Sequence, residues 1–202
     1  MDTLQTVYYK GKEYIGSYDG SRLILKPIKG LLKRELVLKP NKIVIITKRA
    51  LELLNKNTHS GKIESAGMLL GNKKKNILFV KSIMNFPKPS KPPKGGYALV
   101  AKAFGGGYGF NLASDWADRI VASRRDVIGF YHSHPTRDKL SPGDRKEFAE
   151  ASKFPHLKEP IKFHILCRMS GLHRRLSKYP LLPIAYYKTL FGYKEIPIIV
   201  KE

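Results

Sequence analysis

The two histidines of VIGFYHSHP (127–135) are the side chains of this 202-residue chain best placed to do chemistry. Residues two apart in a strand project from one face, so His132 and His134 stand together beside Phe130, while Tyr131 and Ser133 face the other way. Two imidazoles held on a rigid backbone supply half of a tetrahedral zinc shell. A third protein ligand with one position left for water is the catalytic arrangement; four protein ligands make a closed structural site. Pro135 ends the strand directly after the pair. Taken alone, an H-x-H pair also suits an ordinary edge strand.

A third ligand must return to this strand end, and Ser141-Pro142-Gly143-Asp144 offers one. Ser141 suits an N-cap, Pro142 the first helical position, and Asp144 the third, from which a carboxylate reaches back as in a capping box. That geometry would hold Asp144 still, as a metal ligand requires. Asp138 is the rival, but it lies between Arg137 and Lys139 in what reads as an exposed loop, so Asp144 is preferred. Hydrolysis also needs a base near the metal's water. Glu64 is the candidate, because in ESAGMLLG (64–71) strand alternation sets it on the face of Ala66, Met68 and Leu70. Burial there opposes ionisation unless a cation is close. Glu52 and Glu64 are the only acids between residues 41 and 109. The plainer alternative puts Glu64 at a strand end, exposed to water.

Together these segments resemble the JAMM signature of the MPN-plus metallopeptidases: a glutamate opening E-x-x-G-x-L-x-G, then H-S/T-H-P, then S-x-x-D. ESAGMLLG, YHSHP and SPGD occur in that order, and the likeness covers about residues 42–170. The resemblance implies that His132, His134 and Asp144 bind Zn2+, that Glu64 is the general acid/base, and that Ser141 donates a hydrogen bond to the reacting carbonyl oxygen. It also implies cleavage of a peptide or isopeptide bond at the C-terminal tail of a ubiquitin-like protein or its conjugate. The expected fold is then α/β (α+β): an MPN-like, cytidine-deaminase-like mixed sheet flanked by helices, with an N-terminal β-meander extension. One departure stands out, since six residues rather than the usual seven separate His134 from Ser141.

Several elements must position these residues. TVYY, EYIGSY and SRLILKP, broken by KGK and Asp19-Gly20, predict an antiparallel meander within residues 1–40, with the metallopeptidase-like domain over 41–202. KIVIIT predicts a strand, with Thr47 capping a helix over 48–57 whose stripe is Leu51, Leu53 and Leu54. ESAGMLLG and ILFVKSIMNF predict two strands joined by the basic turn NKKK. PKPSKPPKGG (87–96) and FGGGYGF (104–110) read as loops. FNLASDWADRIVASRRD and RKEFAEASKF read as helices, and IKFHILCRM, IAYYKTLF and EIPIIV as C-terminal strands.

The remaining signals bound the class of function. Hydrophobic content of 42% and no apolar run of membrane-spanning length point to a globular protein without a membrane span. One cysteine, Cys167, excludes an intramolecular disulfide framework and suits a reducing, cytoplasmic (intracellular) setting. Net charge is +22, which would concentrate anionic partners such as nucleic acid or acidic protein. A basic binding module or scaffold in a larger complex is therefore the alternative to a peptidase. His59, His156, His164 and His173 have no partner at ligand spacing and read as surface or hydrogen-bonded core histidines. Cys167, in an apolar run, reads as a buried inert thiol.

Overall fold

The computed structural model describes residues 4–28, 35–58, 65–85, 122–134, 139–151, 160–169 and 181–202. Twelve strands form one sheet: β1 (Gln5–Tyr9), β2 (Lys12–Tyr18), β3 (Leu23–Pro27), β4 (Leu36–Leu38), β5 (Ile43–Thr47), β6 (Ala66–Lys74), β7 (Ile77–Asn85), β8 (Val127–His134), β9 (Phe163–Met169), β10 (Leu181–Thr189), β11 (Gly192–Ile196) and β12 (Ile198–Lys201). Their spatial order is β11-β10-β9-β8-β6-β7-β5-β12-β1-β2-β3-β4. β8 runs parallel to β9, and β5 parallel to both β7 and β12; the other pairs are antiparallel. Among the described residues there are two full helices, α1 (Lys48–Thr58) and α2 (Pro142–Ala151).

This corrects the expected fold. The described residues do not form an α/β MPN-like sheet with flanking helices, but a strand-dominated sheet curled into a half-barrel. The physical reason lies in the connections. Tight turns at Lys10-Gly11, Asp19-Gly20 and Lys75-Asn76 let successive strands pair locally, and accumulated twist curls a sheet of this width. The helix expected near residues 110–126 lies outside the described residues except for a helical end at 122–123.

Thr47 caps α1 as its sequence predicts: the Ala50 N–H donates to Thr47 Oγ1 at 3.2 Å. Ala50, Leu51 and Leu54 are buried against β5, β7 and β12. The N-terminal meander continues the main sheet, because β1 pairs with β12 (Val7 opposite Ile199). Val7, Tyr14, Leu23 and Leu25 share a core cluster with Ile43 and Ile199. EIPIIV, expected as one strand, divides at Pro197. β11 ends one edge of the sheet, while β12 joins its interior, with the Val44 N–H donating to the Pro197 carbonyl at 2.9 Å. Among the described residues no helix is long and apolar enough to cross a membrane.

Candidate metal centre

β8 is buried along its whole length between β6 and β9. Its neighbour β6 explains the two motif glycines. A Cβ at Gly67 would lie 2.1 Å from the Met84 carbonyl and 2.5 Å from the Tyr131 ring, so only glycine fits there. Gly71 sits at a bulge in the β6–β7 pairing, where a Cβ would come within 1.8 Å of the Phe79 carbonyl. Tyr131, facing away from the histidines, hydrogen-bonds Asn85. Ser133, between the two histidines, ties down the start of β6. Its N–H donates to the Ser65 carbonyl at 2.8 Å, and its hydroxyl accepts the Ser65 N–H at 2.8 Å.

α2 begins as its capping sequence dictates. The Ser141 hydroxyl accepts the Asp144 N–H at 3.1 Å, and the Ser141 N–H donates to Asp144 Oδ2 at 2.5 Å. The first helical hydrogen bond follows, from the Arg145 N–H to the Ser141 carbonyl. The cap leaves the carboxylate facing β8. Asp144 Oδ1 lies 3.5 Å from His132 Nε2, Asp144 Oδ2 lies 3.4 Å from His134 Nε2, and the two Nε2 atoms are 2.9 Å apart. One helical turn later, Phe148 leaves α2 on the same face and packs on the His132 ring at 5.7 Å between centroids.

These three side chains could hold a metal ion. Ligands at zinc-like bond lengths and tetrahedral angles stand roughly 3.3–3.5 Å from one another. The two Nε2 atoms stand 2.9 Å apart, somewhat closer than that, and each faces a different carboxylate oxygen, His132 facing Oδ1 at 3.5 Å and His134 facing Oδ2 at 3.4 Å. The protonation states suit ligation. Burial pushes the His132 imidazole below its ordinary range, outweighing the Asp144 carboxylate beside it, so the ring is held neutral. Burial alone would raise Asp144, but hydrogen bonds from His132, His134 and Ser141 outweigh it and hold the carboxyl well below the usual carboxylate range. A His132 ring held neutral beside an ionised Asp144 carboxylate is a pairing that a cation can bridge.

His132, His134, Asp144 and Ser141 are thus brought together. Glu64 and Asp138 lie outside the described residues. His164 adds a contact beyond the expected set. From β9 it sets its Nε2 2.7 Å from His132 Nδ1, and Phe148 packs against it at a tilt of 43° with centroids 3.5 Å apart. Its sequence reading included a hydrogen-bonded core histidine, and it is one. The partnership with His132 depends on the parallel pairing of β8 with β9, which no local pattern announces. The histidine inside the apolar run IKFHILC was the available signal.

No protein-family model matches the chain, and no curated protein matches it. Among solved structures it is similar to the solution structure of protein DSY2949 from Desulfitobacterium hafniense. The likeness has a TM-score of 0.47 and 15% identity over 79% of this chain and 93% of that one. A likeness at that level carries no statement about function.

Proposed function

We propose that this protein is a zinc-dependent peptidase or isopeptidase that hydrolyses a bond at the C-terminal tail of a ubiquitin-like protein or conjugate. The observation that carries the reading is the convergence of His132, His134 and Asp144, whose ligand atoms all lie within 4.8 Å of one another. The substrate class rests on the JAMM-like residues ESAGMLLG, HSHP and SPGD. It does not rest on the fold.

His132 and His134 would hold zinc through Nε2, and Asp144 through its carboxylate. When bound, zinc supplies Lewis acidity, acidifying water and polarising a carbonyl. Glu64 would take the proton of the attacking water on its carboxylate and return it to the leaving amine. Support comes from the register beside it. Ser65, the residue after it, is hydrogen-bonded to Ser133, and Ala66 stands opposite His132. The Ser141 hydroxyl accepts the Asp144 N–H and keeps its own proton to donate to the carbonyl oxygen as charge develops there. The buried thiol of Cys167 fits an intracellular setting.

The test combines zinc analysis with cleavage of a ubiquitin-like tail fusion. Wild-type protein is expected to carry one zinc per chain and to cut the fusion, and His134→Ala to lose both. Stoichiometric zinc with every such fusion left intact would overturn the peptidase assignment.

A further inference from the structure

We propose that His164 is a positioning residue for the metal centre: it fixes the orientation and tautomer of His132, so that His132 presents Nε2 to the ion. The inference deepens the metal-centre reading above and rests on it.

The two nitrogens of an imidazole point to different sides of the ring. His132 turns Nε2 toward His134 and Asp144, and Nδ1 toward His164 Nε2 at 2.7 Å. His164 therefore stands across the ring from the candidate ion and is not itself a ligand. A neutral imidazole carries one proton. Ligation through Nε2 requires that proton on Nδ1, where an acceptor must receive it or a buried N–H goes unpaired. The His164 Nε2 is the nitrogen that faces it, and it accepts when the His164 proton sits on Nδ1, a buried atom with no hydrogen-bond partner among the described residues. A metal-bound histidine commonly directs its second nitrogen to a partner that sets tautomer and basicity; here the partner is another histidine instead of a carboxylate or carbonyl.

The rest of the cluster fixes His164 in turn. β9 lies parallel to β8 and places His164 in register with Phe130, two residues before His132. Phe148 covers the His164 ring and also touches His132. Tyr193 of β11 backs Phe148 at 6.5 Å between centroids, and its hydroxyl donates to the Arg145 carbonyl at 3.3 Å. A single helix thus delivers both the Asp144 ligand and the aromatic ring that holds the positioning histidine.

The experiment measures zinc affinity by chelator competition for wild type, His164→Leu and His164→Gln, with nitrogen-15 NMR of the histidine rings. Leucine fills the space but accepts no hydrogen bond, and zinc affinity is expected to fall about 10–100-fold. The glutamine carboxamide oxygen can accept in place of Nε2, so His164→Gln is expected to stay within about threefold of wild type. In the zinc-loaded wild type, His132 should carry its proton on Nδ1 and bind through Nε2. Equal affinity in wild type and His164→Leu overturns the proposal, as does a zinc-loaded His132 protonated at Nε2. Should His164→Leu not fold, the wild-type spectrum and His164→Gln decide the matter. A wild-type chain that takes up no zinc overturns the metal centre together with this inference. Zinc bound equally well without the His164 acceptor overturns the inference alone.

Discussion

His132 is buried and held neutral while the Asp144 carboxyl beside it is ionised, and that state has a consequence for pH. Burial holds the folded His132 imidazole below its ordinary value, and His164 well below it. Between those depressed values and about 6.5, the unfolded chain binds protons that the folded chain refuses. Stability is therefore expected to fall as pH drops through about 6.5, and to rise again toward neutrality. Asp144 acts in the same direction at lower pH: its depressed carboxyl adds stability above roughly 3.9 that is lost as pH falls toward its folded value. Thermal melts of zinc-free protein should show a lower midpoint at pH 5 than at pH 7.5; a flat profile would mean the histidines titrate normally. The grouping of His132, His134 and Asp144 was legible in the sequence because it rests on short-range geometry, a two-residue strand step and a four-residue cap. The place of His164 was not legible, because strand pairing brings together residues 32 positions apart.

The start of α2 does two things at once, and substitution separates them. Replacing Ser141 with alanine removes the acceptor of the Asp144 N–H, which typically costs about 1 kcal/mol of helix stability. A melting midpoint lowered by a few degrees and modestly weaker zinc binding are the expected signs. A fall in kcat much larger than the fall in zinc affinity would mark the hydroxyl as the donor to the reacting carbonyl, beyond its capping role. On β6, Gly67→Ala is expected to destabilise by on the order of 1–3 kcal/mol in denaturant melts, because its Cβ would press on the Met84 carbonyl and the Tyr131 ring. Helix α1 and the hairpin at Asp19-Gly20 followed from caps, turns and alternation; the β6–β7 hairpin did too, but its turn lies at Lys75-Asn76, since Asn72–Lys74 of the expected NKKK turn pair as strand. EIPIIV did not, because a period of two identifies a strand without saying that Pro197 divides it between distant neighbours.

The strand order makes the N- and C-terminal segments mutually dependent, since β12 lies between β5 and β1. Deleting residues 1–40 would uncover one edge of β12 and the core around Ile43 and Ile199. Residues 41–202 alone are expected to melt well below the full chain or to aggregate; an unchanged midpoint would show that the meander contributes nothing to the rest. The sheet's curled geometry was hidden from the sequence, because the helix-flanked expectation came from interleaved helical and strand patterns together with a motif likeness, and neither fixes how strands distant in sequence pair. A net charge of +22 would give an anionic partner a salt-dependent affinity, and titration of nucleic acid at two salt concentrations reads that contribution separately from cleavage. The central claim is tested most directly by measuring zinc content and cleavage of a ubiquitin-like tail fusion for wild type beside Glu64→Gln. Wild type should hold one zinc and cut; Glu64→Gln should hold the same zinc and fail to cut. Equal cleavage by the two proteins, or a wild type without zinc, would contradict the account.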